Sequence, residues 1–191
     1  MVALIVVVAL VVLVGLYVLL TYNRLVALRN NVENSWSQVD VALKMRHDLV
    51  PNLAEAVKGY AAHERGTFDA VTQARTAAVA APTEPGAALG AAESTLGSMI
   101  GQLLVIAEDY PDLKASTSFL ALQQQLSSIE SQIQIARRVY NDTVETYLTK
   151  LQRIPSNFVA SAFSFAPREF FRAPVEAQTA PSVDVGGSAA R

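Results

Sequence analysis

The 191-residue chain has no cysteine and only two histidines, and these shortages exclude several kinds of site. Without cysteine there can be neither a disulfide nor a thiolate metal site. His47 and His63 are each followed directly by a carboxylate, and neighbouring residues lie on different faces of a helix. We therefore expect both histidines to be surface or boundary residues, and we predict no bound metal.

Motifs for nucleotide binding and acyl transfer are missing as well. The sequence contains no GxSxG, no GxxxxGK[ST] and no GxGxxG, and its carboxylates lack the ExxH spacing of a di-iron bundle. A formal net charge of −2 gives no reason to expect nucleic acid as a partner. We predict a protein with no catalytic residues and no cofactor.

The first twenty residues carry no charged or strongly polar side chain. A helix of this length spans about 30 Å, the thickness of the hydrocarbon core of a bilayer. A cleaved signal peptide would have a basic residue before the apolar run and a small-residue cleavage site after it, and neither is present. We predict a retained transmembrane anchor over residues 1–21, with a membrane span that includes Val2, Ile5, Leu13 and Leu20.

Basic side chains flank this anchor on one side only. Arg24 and Arg29 follow the apolar run, and no basic side chain precedes it. Cytoplasmic flanks of membrane spans are enriched in Lys and Arg. This asymmetry predicts a single-pass protein with its N-terminus outside and a soluble domain in the cytoplasm.

The residues after the anchor have the pattern of a long amphipathic helix. From Leu25 to Tyr60, apolar residues recur at intervals of three and four, which places them on one stripe. Pro51 should either kink this helix or end it. Because the stripe keeps its phase through the proline, we predict a kinked, continuous helix to about Ala78. A turn near Asp48 is the alternative.

Two further stripes predict the rest of an all-α fold. One runs from Leu89 to Tyr110 and is closed by Pro111, and the other runs from Ser116 to Gln152 and is closed by Pro155. Residues 22–154 should therefore form a long antiparallel bundle of three long helices, or of four if the chain turns near Pro51.

Polar residues interrupt two of these stripes. Arg46 lies on the first stripe, so its guanidinium must reach a carboxylate, a carbonyl or solvent. One interpretation is a solvated surface with pairs such as Arg138 and Asp142. The other is an inter-helix polar network that fixes the register of the bundle, with Arg46, Asp48, Arg137, Asn141 and Asp142 as its candidate members.

Residues 155–172 hold five of the seven phenylalanines. Their spacing matches neither a helix nor a strand, so we predict an irregular segment that covers other surfaces. It either seals its own bundle or docks on a partner, and the candidate docking residues are Phe158, Phe163, Phe165, Phe170 and Phe171. Residues 173–191 are rich in Pro, Ser, Gly and Ala and are predicted to be a disordered tail.

Several segments together resemble the LemA family of bacterial membrane-anchored proteins. They include RHDLVPN, YPDLKA, ARRVYND and IPSNFVASAFSFAPREFF, and the resemblance covers roughly residues 22 to 172. It implies one N-terminal span in the bacterial inner membrane and a cytoplasmic bundle of long helices. It implies no established enzymatic activity. It also suggests a TPM-domain membrane protein or an HtpX-type membrane protease as a partner in membrane assembly or quality control.

These observations predict a non-catalytic, membrane-tethered scaffold or assembly subunit whose partners are the lipid bilayer and copies of itself. Gly15 is alone in the span, so no GxxxG motif favours association there, and an oligomer should use the flanks of the bundle and the tail. The alternative is a sensory four-helix-bundle module with a polar-lined pocket for a small ligand. An enzyme would instead need titratable groups that converge in a cleft.

Overall fold

A computed structural model describes residues 1–61 and 63–172. Within these residues every regular element is helical, so the predicted all-α fold is confirmed. The predicted tail, residues 173–191, lies outside the described part of the chain. The elements are α1 (Val2–Lys58), α2 (Arg65–Ala80), α3 (Ala87–Glu108), α4 (Pro111–Lys114), α5 (Thr117–Gln152) and α6 (Ser156–Ala162).

Helix α1 runs without a break from the apolar N-terminal run into the bundle. Its most apolar stretch is long enough to cross a membrane, and none of that stretch is buried by the rest of the chain. Helix α3 is also long and apolar enough, but a third of its most apolar stretch is buried in the bundle, as expected of a core helix. Among the described residues, only the N-terminal run combines these properties with a stretch that contains no buried residue.

The end of α1 corrects one prediction. The helix continues through Pro51, as predicted, but it ends at Lys58 rather than near Ala78. Just past Lys58, the backbone N–H groups of Tyr60 and Ala61 both donate to the carbonyl of Val57, at 3.0 and 2.9 Å, so the regular helical ladder ends there. Helix α2 then returns beside α1. The alternative turn near Asp48 is also wrong, because that residue is helical.

Helices α1 and α5 form the long antiparallel pair on which the other elements pack. Ser35 Oγ lies 2.8 Å from Thr143 Oγ1, and further along the pair Arg46 bonds to Glu130. With 36 residues at about 1.5 Å each, α5 is about 54 Å long. Its bounds agree with the predicted stripe because Ser116 and Pro155 interrupt the helical pattern at both ends.

Two parts of the bundle differ in how many helices surround the core. In the distal bundle, residues 42–58 of α1 and residues 117–136 of α5 pack with α2, α3 and α4. In the neck, residues 21–41 of α1 and residues 137–152 of α5 continue toward the apolar run. There they are covered by α6 and by residues 165–172, which we call the strap.

Residues 155–172 were predicted to be irregular, and the first half of this segment corrects that prediction. Helix α6 buries Val159 and Ala160 against the neck. Ser164 adopts a left-handed φ of 55°, and Phe165 N–H donates to the carbonyl of Ala160 at 3.0 Å. This is a common way to end a helix and redirect the chain. The non-helical strap then follows α5 away from the apolar run.

Candidate functional site

A buried ion network joins three helices of the distal bundle. Arg46 on α1 is only 5% exposed. Its Nη1 donates to Glu130 of α5 at 3.1 and 3.3 Å, and its Nη2 donates to the carboxylate of Glu93 on α3. Because Glu93 is itself 4% exposed, the pair neutralises two charges that neither residue could bury alone.

The second carboxylate oxygen of Glu93 is bound by His47. The distance from His47 Nε2 to Glu93 Oε1 is 2.8 Å, and an ionised carboxylate can only accept, so this ring nitrogen carries the hydrogen. Burial raises the pKa of Glu93, but the His47 hydrogen bond and the Arg46 charge outweigh it. The pKa of the Glu93 carboxyl therefore lies below its usual value. Glu93 is an ionised structural group at neutral pH.

Pro51 leaves a backbone carbonyl of α1 free to bond with another helix. A proline has no N–H, so the carbonyl four residues earlier, that of His47, receives no helical hydrogen bond from it. Arg75 of α2 supplies a donor instead, and its Nε lies 2.7 Å from His47 O. Two consecutive residues of α1, Arg46 and His47, therefore attach α2, α3 and α5 at the same level of the bundle.

The predicted polar network overlaps this cluster in one residue. Arg46 lies at its centre, whereas Asp48 and Asp142 are exposed. Arg137 is half-buried and lines a cleft of about 260 Å³ beside Arg46, Glu93 and Glu130. Among the described residues, none of these three predicted members bonds to Arg46. Asn141 lies in the neck instead.

Sequence reasoning missed Glu93, Glu130, His47 and Arg75 as partners. Glu93 was detectable, because it lies on the same helical face as Leu89, Leu96 and Leu103 of α3. A carboxylate on one apolar stripe and an arginine on another favour a buried pair. The role of Arg75 depends on a backbone carbonyl, so no side-chain pattern could reveal it.

Side chains of α5 hold the strap by its backbone. Tyr140 Oη donates to Glu169 O at 2.7 Å, and Tyr147 Oη donates to Ala166 O at 2.9 Å. The amide of Asn141 makes two bonds with the backbone of Phe171, accepting from its N–H at 3.0 Å and donating to its carbonyl at 3.2 Å. A non-helical backbone has no regular hydrogen-bond partners of its own, and these four bonds supply partners for the strap.

Burial keeps both tyrosines in their neutral, donating form. Burial raises the pKa of Tyr140 to about 12, and the nearby Arg168 only partly offsets this effect. Burial also raises the pKa of Tyr147 above its ordinary value. The hydrogen bonds to the strap are therefore stable to pH changes across the neutral range.

The five phenylalanines are not equivalent. Phe171 is buried, with its ring 5.5 Å from that of Trp36, and Phe165 and Phe170 are half-buried. In contrast, Phe158 is 68% exposed and Phe163 is 52% exposed. The strap thus lies on its own bundle, whereas two rings near α6 face outward.

The strap also borders a wide opening in the bundle. A cavity of about 700 Å³ lies between α1, the loop before α3 and the strap. Trp36 lies at its edge and donates from Nε1 to Thr83 O at 3.1 Å. Its charged lining consists of Glu33, Glu84, Arg168 and Glu169, and Arg168 already pairs with Glu33 at 3.0 Å. Within the described residues, no group of three His, Asp or Glu side chains is arranged to hold a metal ion.

Comparison with known proteins shows the family to which this chain belongs. The sequence model of the LemA family matches residues 35–185, more than half of the chain. The chain belongs to the LemA family. The match covers the ion network, α5 and the strap, and it begins after the apolar run.

Three relatives illustrate the likeness. The LemA-family chain is 25% identical to the magnetosome protein MamQ 2 of Paramagnetospirillum magneticum over 178 residues, covering 81% of this chain and 65% of the relative. It is 23% identical to the MamQ protein of Magnetospirillum gryphiswaldense, covering 80% and 65%. It is 26% identical to the protein LemA of Metamycoplasma hominis, covering 79% and 68%. The chain thus matches about two thirds of the length of each relative.

Proposed function

We propose that this LemA-family chain is a non-catalytic, membrane-tethered scaffold that assembles with copies of itself through one flank of its bundle. An uncharged apolar patch on the long α1–α5 pair carries the proposal. Val41 and Met45 on α1, and Ile135 and Val139 on α5, are each 41% exposed or more. The shallow depression between the helices is lined by Gln38, Val41, Ala42, Gln132, Ile135 and Ala136.

The properties of this flank suit contact between identical chains. Two copies anchored in one membrane share their orientation, and a two-fold interface brings the same patch of each copy together. An uncharged patch does not repel its own copy. Contiguous exposed apolar surface on a soluble domain commonly marks such an interface.

The buried charges support a structural role rather than a catalytic one. Arg46 pairs with the buried carboxylate of Glu93 and with the partly exposed carboxylate of Glu130. A general base needs a pKa near the working pH, and the pKa of Glu93 is shifted in the opposite direction. The magnetosome relatives are also named for a cellular structure rather than for a reaction.

The particle mass tests self-assembly. We expect the full chain, extracted in mild detergent, to have the mass of several copies. Ile135→Glu should reduce that mass, because it introduces like charges at the proposed contact. Val105→Glu is the matched control, since Val105 is 64% exposed on α3, and it should leave the mass unchanged. A wild-type particle with the mass of one chain would contradict the proposal.

We also propose that the bundle faces the cytoplasm from the bacterial inner membrane. Arg24 and Arg29 flank the apolar run on the bundle side, which supports this orientation. Protease added outside intact cells should leave the bundle whole, and digestion there would reject the orientation. A TPM-domain membrane protein and an HtpX-type membrane protease remain the proposed partners, and they should copurify with the detergent-extracted particle.

A sensory module is the second candidate, and the cavity of about 700 Å³ favours it. Trp36 is the sole tryptophan of the chain and lines this cavity, so its fluorescence reports what enters. The low-molecular-mass fraction of a bacterial extract should shift the emission of Trp36 if the cavity binds a small ligand. An unchanged spectrum would leave the scaffold as the better proposal.

A further inference from the structure

We propose that α6 rests in the lipid interface beside the span, so that the chain contacts the bilayer at a second place. The proposal rests on the membrane anchor proposed above but not on self-assembly. Its starting point is an exposed apolar surface at the membrane end of the neck. Ile154 is 73% exposed, Phe158 is 68% exposed and Phe163 is 52% exposed.

The orientation of this surface is set by the opposite face of α6. Val159 and Ala160 are buried in the core. Ser156 is 1% exposed, and its Oγ lies 2.7 and 2.8 Å from the carbonyl oxygens of Lys150 and Arg153. Since these contacts attach α6 to the end of α5, the large apolar side chain of Phe158 on its other face points outward and cannot turn into the core.

The depth of the surface follows from a contact with α1. The ring of Phe163 lies 4.9 Å from the ring of Tyr22. Tyr22 comes two residues after Leu20, the last residue of the apolar run, so it stands where the span leaves the hydrocarbon. Aromatic side chains favour that boundary. Phe163 is therefore at the level of the lipid headgroups, directly after the short helix that carries Phe158.

The charges around the surface match an anionic lipid interface. Four basic residues belong to the two segments that meet there, residues 21–29 and 148–164, and neither segment contains an acidic residue. They are Arg24, Arg29, Lys150 and Arg153. Basic residues next to a span are attracted to anionic headgroups. This charge and the continuity with the span favour lipid over a protein partner as the occupant.

Single cysteines can test the depth, because the chain has none of its own. Phe158→Cys and Phe163→Cys would each carry a nitroxide label on the full chain, reconstituted in vesicles of phosphatidylcholine and phosphatidylglycerol. The label's collisions with oxygen, which concentrates in lipid, are compared with those of a water-soluble nickel chelate. Val105→Cys, exposed on α3 at the far end of the bundle, is the aqueous reference, and Leu16→Cys is the reference within the span.

We expect the ratio of oxygen to nickel collisions at positions 158 and 163 to exceed that at 105 several-fold and to approach that at 16. A ratio equal to that at 105, with position 16 still lipid-like, would overturn the inference and leave the anchor intact. Shielding of 158 and 163 from both reagents would also overturn it, because protein would then cover the surface. Nickel access at position 16 would overturn the anchor and this inference together.

Discussion

The distal bundle and the neck hold their parts together with different kinds of bond. In the distal bundle, Arg46 joins α1 to the carboxylates of Glu93 and Glu130, so side chains bond to side chains. In the neck, Tyr140 and Asn141 bond to backbone atoms of the strap. A helix satisfies most of its own backbone, whereas a non-helical segment needs external partners for its N–H and C=O groups.

This difference predicts unequal tolerance to substitution. The strap can change many side chains without losing the bonds that α5 makes to its backbone. Loss of either Arg46 or Glu93 would leave the buried charge of the other without its main partner. Substitutions in the distal bundle should therefore destabilise the protein more than comparable substitutions in the neck.

The largest effect is expected for Arg46→Met. It leaves the buried carboxylate of Glu93 without its arginine, and breaking a buried ion pair in this way costs about 3–5 kcal/mol. The melting temperature of the full chain in detergent, followed by circular dichroism, should fall accordingly. Arg138→Met, at an exposed position on α5, is the control and should change stability by less than about 0.5 kcal/mol. Equal losses would show that the network does not stabilise the bundle.

Acid should weaken the distal bundle by protonating Glu93. The folded-state pKa of Glu93 lies below its usual value of 4.5, so its contribution to stability is fully present above that pH. The contribution is lost as the pH falls through the lowered pKa. Denaturant unfolding should therefore show wild-type stability declining in acid more steeply than that of Glu93→Gln. Parallel declines would rule out Glu93 as a source of the acid sensitivity.

Gly90→Ala should displace the strap from α3. A Cβ at this position would collide with the backbone carbonyl of Arg172, and neither backbone can yield without a shift. Overpacking of this kind costs about 1–3 kcal/mol. Gly101→Ala on the same helix has open space, since no described atom lies within 4 Å, and should stabilise by up to about 1 kcal/mol. If both variants shift the melting temperature in the same direction, Gly90 and the carbonyl of Arg172 are not in close contact.

Alkali should act on the neck rather than on the distal bundle. Burial raises the pKa of Tyr140 from 10.0 to about 12, so the unfolded chain releases this proton at lower pH than the folded one. Stability should fall between these values by up to about 2 kcal/mol. Tyr140→Phe removes the ionisable group and should remove most of this decline, as measured by unfolding in urea. An unchanged alkaline decline would show that Tyr140 is not its source.

The smallest effect is expected for Ser164→Gly at the end of α6. The left-handed φ of 55° is unfavourable for residues with a Cβ and open to glycine. We expect a gain in stability below about 1 kcal/mol. Ser161→Gly, within α6, should instead lose about 0.5–1 kcal/mol, because glycine weakens a helix interior. If calorimetry shows that the two variants shift the melting temperature in the same direction, Ser164 does not have the left-handed conformation.

Helix identity was predictable from the sequence because burial in a bundle requires an apolar stripe of helical period. The apolar stripes correctly predicted α3 and α5, and they correctly predicted that α1 continues through Pro51. The prediction failed at Lys58, because the apolar stripe continues to Tyr60 although the helix has already ended. A stripe shows which face is buried, and it does not show whether one helix or two carry it.

The candidate sites were less predictable, because their bonds join residues that are far apart in the chain. Arg46 could be singled out as a charge on an apolar stripe, but Glu130 lies 84 positions away. Asn141 was predicted to join a network of side chains, but its partner is the backbone of Phe171. Because nearly every residue has the same backbone groups, a bond to the backbone leaves no pattern in the sequence.

The sequence by itself determined the apolar run, the helical stripes and the need for some partner at Arg46, because each follows from the polarity and spacing of nearby residues. Only the tertiary structure decided where α1 ends, which carboxylates neutralise Arg46 and which phenylalanines are covered. Those outcomes depend on distances between helices that the chain brings together only when it folds. Phe171 is buried and Phe158 is exposed for that reason, although both are phenylalanines of one short segment.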